Sequence, residues 1–147
     1  MSRKKLTEAN FKKIYSTVPR LCVDLIIVKD KKFLLTKRSI IPFKGLWHFP
    51  GGSVLYRETI KQAISRVAKA ELGVKVIPQF FLGYMEGLYD GYRHTISLVF
   101  RCKLGKNQKP QTLEQANKLK FFSKIPSKVI IWGQKKFLVK NWKKIID

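Results

Sequence analysis

The sequence predicts a mixed α/β fold in which helices flank a sheet. Three observations predict it: an apolar run at 21–28, an alternating apolar–polar run at 94–104, and a helical stripe of apolar residues at 59–72. The chain has 147 residues, of which 45% are hydrophobic, and this is enough for one domain with a packed core. We therefore expect a single domain over residues 1–147.

The first two strands are predicted to form a hairpin. Residues 21–28 are typical of a buried strand, residues 29–32 of a turn, and residues 33–37 of the partner strand. Asp24 is the exception, because it places a carboxylate inside an otherwise apolar strand.

The helix at 59–72 has start and stop signals as well as periodicity. Thr59 and Gln62 have the spacing of a capping box, and Gly73 stands where a C-terminal cap glycine belongs. The break at 50–52 (Pro-Gly-Gly) precedes it. Its stripe follows the 3.6-residue period: Ile60, Ala63, Ile64, Val67 and Ala68.

The remaining elements are shorter or weaker. Strands are predicted at 47–49, 79–86, 94–104 and 118–123, and a basic amphipathic helix at about 133–146. We expect that helix to pack on the domain with its lysines in solvent, with contact to a membrane or nucleic acid as the alternative.

The charge is strongly positive and predicts anionic partners. The chain has 31 Lys+Arg against 9 Asp+Glu, a formal net charge of +22. Phosphate-bearing small molecules, nucleic acid and acidic membrane surfaces all fit this charge. No apolar run approaches a membrane span, and the N-terminus lacks a secretory signal, so we expect a cytoplasmic protein. Cys22 and Cys102 lie in strand-like runs and are interpreted as small buried hydrophobes.

Glu71 projects from the apolar stripe of the predicted helix. At about 100° per residue, it lies on the same face as Ile60, Ile64 and Val67. Burying a lone carboxylate is costly unless a cation or hydrogen-bond donors meet it. Glu71 is therefore a candidate ligand, unless it bends outward to water from the last turn.

The glycine turn and the helix also share a fixed spacing. Five residues separate a glycine from a glutamate, seven more lead to an arginine, and a glutamate, a glycine and an aliphatic residue follow: Gly52, Glu58, Arg66, Glu71, Gly73 and Val74. This spacing resembles the Nudix box, Gly-x5-Glu-x7-Arg-Glu-U-x-Glu-Glu-x-Gly-U, where U is a bulky aliphatic residue. The resemblance covers nearly the whole chain and implies the Nudix α/β/α sandwich with a mixed sheet.

Two departures from the box are informative. Val67 and Ala70 stand where the family usually has glutamates, so Glu71 is the one ligand that the helix retains. Mg²⁺ normally takes a few carboxylates or phosphates plus waters. A standard hydrolase with several metal ions on this helix is therefore not expected.

One Nudix branch, the GDP-mannose mannosyl hydrolases, lacks the same two glutamates. Its box, Arg-x-x-x-Ala-Glu-Leu-Gly-U, is similar to residues 66–74 of this chain. The resemblance implies one Mg²⁺, with Mn²⁺ as the alternative ion, held by the Gly51 carbonyl, Glu71 and Gln115. It also implies attack at the sugar C1 of a nucleoside diphosphate sugar, with the nucleoside diphosphate as leaving group.

The same resemblance suggests roles for several polar residues. Arg38 and Arg66 would contact the diphosphate and stabilise its departing charge. Glu58 would orient Arg66 by an ion pair, and Asp24 would hold part of the nucleotide or sugar. A homodimer is implied by the resemblance alone.

Three positions differ from that branch. Ala116 stands where the branch has its general-base histidine, and a methyl group cannot accept a proton. Ser53 and Thr95 stand where the branch has an arginine and a tyrosine. The residues considered as a replacement base are Glu86, Asp90 and His94, although His94 is expected to be a core histidine and the two acids to be solvated turn residues.

Three functions follow from these features. The first is Mg²⁺-dependent hydrolysis of a nucleoside diphosphate sugar at C1. The second keeps the fold but attacks phosphorus in another diphosphate, such as ADP-ribose, a nucleoside triphosphate or a capped RNA end. The third is a Nudix-fold binding protein with little catalysis that uses its basic surface for nucleic acid.

Overall fold

The predicted mixed α/β class is confirmed by a computed structural model that describes residues 5–41, 43–89, 91–113, 116–129 and 132–147. Within these ranges the chain forms helices and strands in the order α1 (Glu8–Tyr15), β1 (Arg20–Lys29), β2 (Lys32–Arg38), β3 (Trp47–His48), β4 (Gly51–Ser53), α2 (Ile60–Leu72), β5 (Val76–Leu88), β6 (His94–Leu104), β7 (Ala116–Phe122), α3 (Trp132–Lys140) and α4 (Trp142–Ile146).

Strand β1 is the centre of the sheet. Near its start it pairs antiparallel with β4 and parallel with β6, so that Cys22 lies beside both Ser53 and Ser97. At its end it turns into β2 through Asp30 and Lys31, whose φ angles are 51° and 60°, as a tight two-residue hairpin requires. The predicted hairpin is therefore confirmed. Beyond this turn β1 and β2 have different neighbours. Strand β2 pairs with β3 and β7, whereas β1 pairs with β6, which in turn pairs with β5 at the outer edge.

Helix α2 covers one face of the sheet and matches its prediction closely. Thr59 and Gln62 form both hydrogen bonds of the capping box, and Gly73 ends the helix in the left-handed conformation with φ of 65°. The buried stripe of the helix packs against Val23, Leu25 and other apolar residues of β1 and β2. Burial of this stripe is what fixes the helix on the sheet.

The C-terminal helices cover the opposite face, which completes the α/β/α sandwich. Phe137, Leu138 and Ile145 pack with Phe33 and Ile26 in a second apolar cluster. The structure has two helices where the sequence predicted one at 133–146. The side chain of Asn141 lies at the break and donates to the Phe137 carbonyl at 3.0 Å.

Strand β6 is covered on both faces. Its alternation is confirmed, but the face that bears Ser97 and Arg101 is buried, because the C-terminal helices lie over it. The Arg101 Nε donates to the carbonyl of Ile145 at 2.9 Å, so this cation binds the end of α4. The strand predicted at 79–86 is longer than expected, and its neighbours in β6 pair along its whole length.

Helix α1 was missed from the sequence. Its N-cap is Thr7, whose hydroxyl accepts a hydrogen bond from Asn10 N at 3.2 Å. It buries no residue, so it lacks the apolar stripe that would predict it. Its Phe11 ring nevertheless lies under the guanidinium of Arg20, 5.3 Å from ring centroid to Cζ.

The two cysteines are free and buried, as predicted. Burial raises the pKa of Cys22 to about 11 and that of Cys102 to about 12, so neither thiol is a nucleophile at neutral pH. In the part of the chain that the structure describes, no helix combines the length and apolar character that a membrane span requires.

Candidate active site

An ion pair ties the glycine turn to α2. The Arg66 Nε donates to Glu58 Oε2 at 2.8 Å, and its Nη2 donates to Glu58 Oε1 at 3.1 Å and to the Ser53 carbonyl at 2.5 Å. Glu58 Oε1 also accepts from the backbone of Leu55 at 3.0 Å. The Glu58 side chain is 2% exposed and that of Arg66 is 37% exposed. The predicted pair is confirmed, and it braces the loop between β4 and α2.

Gly51 brings its backbone against the buried carboxylate of Asp24. The two residues are partners in the β1–β4 pairing. A Cβ at position 51 would overlap Asp24 Oδ1 and lie 2.8 Å from the Val23 carbonyl oxygen. Glycine is therefore required here because the strands β1 and β4 approach each other closely. This contact joins the turn, which holds a predicted metal ligand, to the strand that carries Asp24.

Asp24 is 9% exposed and lies on the polar end of β1. Burial raises the pKa of its carboxyl to about 6, while a hydrogen bond with the Ser97 side chain and the charge of Arg20 act in the opposite direction. The carboxylate thus has a donor and a cation beside it, as a buried acid needs. Its predicted role in holding the substrate stays a prediction.

Glu71 and Arg38 lie close to one another. Burial lowers the pKa of the Arg38 guanidinium, and the charge of Glu71 opposes that shift. The charges of Arg93 and Arg20 add to the lowering, so these three arginines share one region. Glu71 is partly buried and does not simply bend out to water.

His48 adds a neutral side chain beside this region. Its Nε2 lies 3.1 Å from Thr36 Oγ1. Burial and the charge of Arg38 lower the pKa of His48 to about 4. The imidazole is therefore uncharged at neutral pH, and it adds no further cation to the arginines.

Ser53 and Thr95, which differ from the mannosyl hydrolase pattern, are each contacted by a long side chain from another segment of the chain. Arg20 Nη1 donates to the Ser53 hydroxyl at 3.3 Å. Burial raises the pKa of Tyr89, whereas hydrogen bonding to the Thr95 side chain and the charge of Arg20 act in the opposite direction. An arginine from β1 thus lies beside Ser53, and a tyrosine from the β5–β6 turn lies beside Thr95.

Tyr89 also closes one side of this region. A Cβ at Gly87 would overlap the Tyr89 hydroxyl, so glycine makes room for the folded-back ring. The Phe43 ring meets Tyr89 edge to face, with 5.7 Å between centroids. Phe43 has φ of 66°, an uncommon conformation for a bulky residue, and it is 36% exposed.

Several predicted residues lie outside this cluster or outside the described ranges. Gln115, a predicted metal ligand, and Asp90, one of the considered bases, fall in the parts of the chain that are not described. His94 and Glu86 alternate with Thr95 and Gly87 in their strands, so they point to the face opposite Arg20 and Asp24. Ala116 pairs with Arg38 at the start of β7.

The residues present fit one hard cation better than several. Glu71 is the carboxylate of α2 at the site, because Val67 is buried in the core and Ala70 bears a methyl group. Among the described residues, no three acidic, histidine or cysteine side chains come together as a metal-binding group. A carbonyl, a carboxylate and waters suit a single Mg²⁺.

Sequence reasoning missed Arg20, Tyr89 and Arg93 as site residues. Arg20 is one cation among many in the sequence, and its place beside Thr95 depends on the parallel pairing of β1 with β6. One signal was available. Only seven of the 31 cations are arginines, and arginine is better suited than lysine to bind an oxyanion through two N–H groups, so each arginine was a candidate site residue.

Solved structures similar to this fold are Nudix proteins. A MutT Nudix hydrolase from Burkholderia pseudomallei superposes with a TM-score of 0.76, 24% identity, and coverage of 83% of this chain and 97% of that chain. A MutT protein from Methanosarcina mazei gives a TM-score of 0.74 at 20% identity, covering 86% of this chain and 95% of that chain. At these identities the likeness concerns the fold.

Sequence relatives match more than half of the chain. An ADP-ribose pyrophosphatase of Methanocaldococcus jannaschii is 43% identical over 83 residues, which is 56% of this chain and 49% of that protein. The low-salt glycan biosynthesis protein Agl8 of Haloferax volcanii is 38% identical over 86 residues, 58% of this chain and 55% of that protein. The chain therefore spans about half the length of these curated relatives. The family profile of the NUDIX domain matches residues 18–125, and the chain belongs to the Nudix hydrolase family.

Proposed function

We propose that this protein is a divalent-cation-dependent hydrolase of a nucleoside diphosphate sugar, similar to the GDP-mannose mannosyl hydrolases. Water attacks the sugar C1, and the nucleoside diphosphate leaves. The observation that carries the proposal is that α2 offers one carboxylate, Glu71, to the site. One cation is enough for this reaction, because the charge that develops is that of a departing diphosphate.

The ligands proposed for that cation are Glu71, the Gly51 carbonyl and Gln115. When bound, Mg²⁺ would supply positive charge to the oxygens of the leaving diphosphate. The contact between Gly51 and Asp24 supports this assignment, since it fixes the backbone of the turn in place. Asp24 would then accept hydrogen bonds from hydroxyl groups of the substrate.

Arg38 is proposed to contact the diphosphate directly. Its guanidinium is partly buried beside Glu71, where it would meet a phosphate and the cation together. Arg66 uses its Nε and Nη2 within the turn. We propose that its main contribution is to hold the turn, with any contact to the diphosphate made through Nη1.

Attack at phosphorus is the second candidate. It is favoured by the 43% identity to an ADP-ribose pyrophosphatase over 83 residues. Such chemistry commonly uses two metal ions to stabilise the attacking and leaving oxygens. The single helix carboxylate of this chain favours the C1 reaction instead.

A turnover screen tests the proposal. The protein is incubated with GDP-mannose, other nucleotide sugars, ADP-ribose and nucleoside triphosphates, with and without Mg²⁺, and the products are identified. Release of a nucleoside diphosphate and a free sugar is the expected result. Release of two phosphorylated products would contradict attack at C1 and favour attack at phosphorus, the second candidate. Absence of turnover together with salt-sensitive retention on RNA or DNA would instead indicate a binding protein.

A further inference from the structure

Three of the seven arginines of the chain gather in one region of the candidate site. Arg20 begins β1 beside Thr95 of β6, and Arg93 precedes Thr95 by two residues. Arg93 lies just before β6 and is exposed, and its position two residues from Thr95 brings it near Arg20 at the start of β1. Arg38 is near enough for both charges to act on it.

Two of these guanidinium groups have their positions restrained by neighbours. Arg20 donates to the Ser53 hydroxyl at 3.3 Å and lies over the Phe11 ring at 5.3 Å. Arg93 lies over the Tyr92 ring at 5.4 Å, and its carbonyl accepts a hydrogen bond from Tyr89 N at 2.9 Å. Stacked guanidinium groups keep unused N–H donors available for an anion.

Among the described residues, cations outnumber acids in this region. The carboxylates whose charges act on Arg38 or Tyr89 are Glu71 and Asp24, and the charges of Arg20 and Arg93 act on Arg38 as well, which gives three guanidinium groups and two carboxylates. Glu58 is committed to Arg66. A bound divalent cation and a diphosphate would neutralise each other, so the excess positive charge would remain.

We propose that Arg20 and Arg93 form an anion subsite beside Arg38, so that the preferred substrate carries one anionic group in addition to its diphosphate. This inference rests on the proposed function for the position of the diphosphate. The additional group is an acidic substituent of the sugar, either a carboxylate or a phosphate. Both are planar or tetrahedral oxyanions that a guanidinium binds through two N–H groups.

Kinetics on matched substrate pairs test the subsite. UDP-glucose and UDP-glucuronic acid differ by one carboxylate, and GDP and GTP, used as competitive inhibitors, differ by one phosphate. Each is measured with the wild type, Arg20→Gln, Arg93→Gln and Arg20→Lys. Lys103→Gln removes one exposed cation near the far end of β6 and is the matched control. Thermal unfolding verifies that each variant is folded.

We expect the wild type to favour the more anionic member of at least one pair by about tenfold or more, as a charge-assisted hydrogen bond contributes. Arg20→Gln and Arg93→Gln should abolish that preference, whereas Lys103→Gln should retain it. A preference within the sugar pair shows that the subsite binds a sugar carboxylate, and one within the nucleotide pair shows that it binds a phosphate at the position of the sugar. Equal values within both pairs, or a preference unchanged in Arg20→Gln and Arg93→Gln, would overturn the subsite.

Binding measurements separate this inference from the proposed function. Dissociation constants of the same four compounds are determined by calorimetry, which needs no turnover. If no nucleotide sugar is hydrolysed but the preference for the anionic member persists and requires Arg20, the subsite stands and the proposed reaction fails. If UDP-glucose is cleaved at C1 and neither pair shows a preference for its more anionic member, the reaction stands and the subsite fails.

Discussion

The two halves of the candidate site are built in different ways. The turn–helix half, which contains Gly51, Glu58, Arg66 and Glu71, lies within 21 consecutive residues and is braced by an ion pair. The strand half, which contains Arg20, Asp24, Tyr89 and Thr95, comes from segments about 70 residues apart and is assembled by strand pairing. Gly51 and Asp24 meet at the junction of the two halves.

This difference separates two kinds of function. The turn–helix half has the features that Nudix sequences share, and we assign to it the metal and the departing charge. The strand half differs from the mannosyl hydrolase pattern at Thr95, and its Arg20 contacts Ser53, a second altered position, in the turn–helix half. We infer that reaction chemistry resides in the first half and substrate choice in the second.

The largest effect is expected at Glu71. Glu71→Gln preserves the shape of the side chain but removes the charge that would bind the cation. We expect Mg²⁺-dependent turnover to fall by about 10³-fold, since metal stabilisation of a leaving group amounts to several kcal/mol. Glu8→Gln, which removes an exposed acid on α1, is the control. Unchanged activity in Glu71→Gln would remove this residue from the site.

The sequence predicted the turn–helix half better than the strand half, because the former is local in sequence and the latter is assembled by strand pairing. The capping box, the C-terminal Gly73, the ion pair and the placement of Glu71 could all be predicted, because each depends on spacing within one helix and its turn. The positions of Arg20 and Tyr89 could not, because they depend on which strands pair and in which register. Helix α1 was missed for a related reason, since it buries no apolar stripe.

The second effect concerns the Arg66–Glu58 ion pair of the turn–helix half. Arg66→Ala would leave the buried Glu58 carboxylate without its cation. Removing one partner of a buried pair costs about 3–5 kcal/mol, and the partial exposure of Arg66 favours the lower end. Urea unfolding measures this loss, with Lys69→Ala on the exposed side of α2 as the control. A change below about 1 kcal/mol would show that the pair does not brace the turn.

The third effect concerns the strand half and depends on pH. The folded protein raises the pKa of Asp24 from 3.8 to about 6, so the native state holds this proton more tightly than the unfolded chain. Stability is therefore lost as pH rises from about 4 to about 6, and it stays reduced above that range. Asp24→Asn should raise the free energy of unfolding by about 3 kcal/mol at pH 7.5 and leave it nearly unchanged near pH 4.

Urea unfolding of the wild type and Asp24→Asn at both pH values measures this difference. Turnover should fall in the same variant, because Asn cannot offer two acceptor oxygens to the substrate. A stability difference of the same size at pH 4 and pH 7.5 would contradict the assigned cause, which is the burial of a charge.

The smallest effect is a gain at position 116. Ala116→His would place an imidazole beside the predicted metal ligand Gln115, at the start of β7 and opposite Arg38. We expect turnover to rise about tenfold, the lower range of what a general base contributes when its position has not been optimised. Ser65→His, at an exposed position of α2, is the control. A clear loss in Ala116→His alone would argue against the alignment with the mannosyl hydrolases.

The site of bond cleavage is the central claim, and hydrolysis in ¹⁸O-labelled water tests it most directly. Mass spectrometry of the products after a single turnover locates the oxygen that the water supplied. Attack at C1 predicts the label in the free sugar and none in the nucleoside diphosphate. Label in a phosphate would contradict the account and assign this protein to the Nudix enzymes that attack phosphorus.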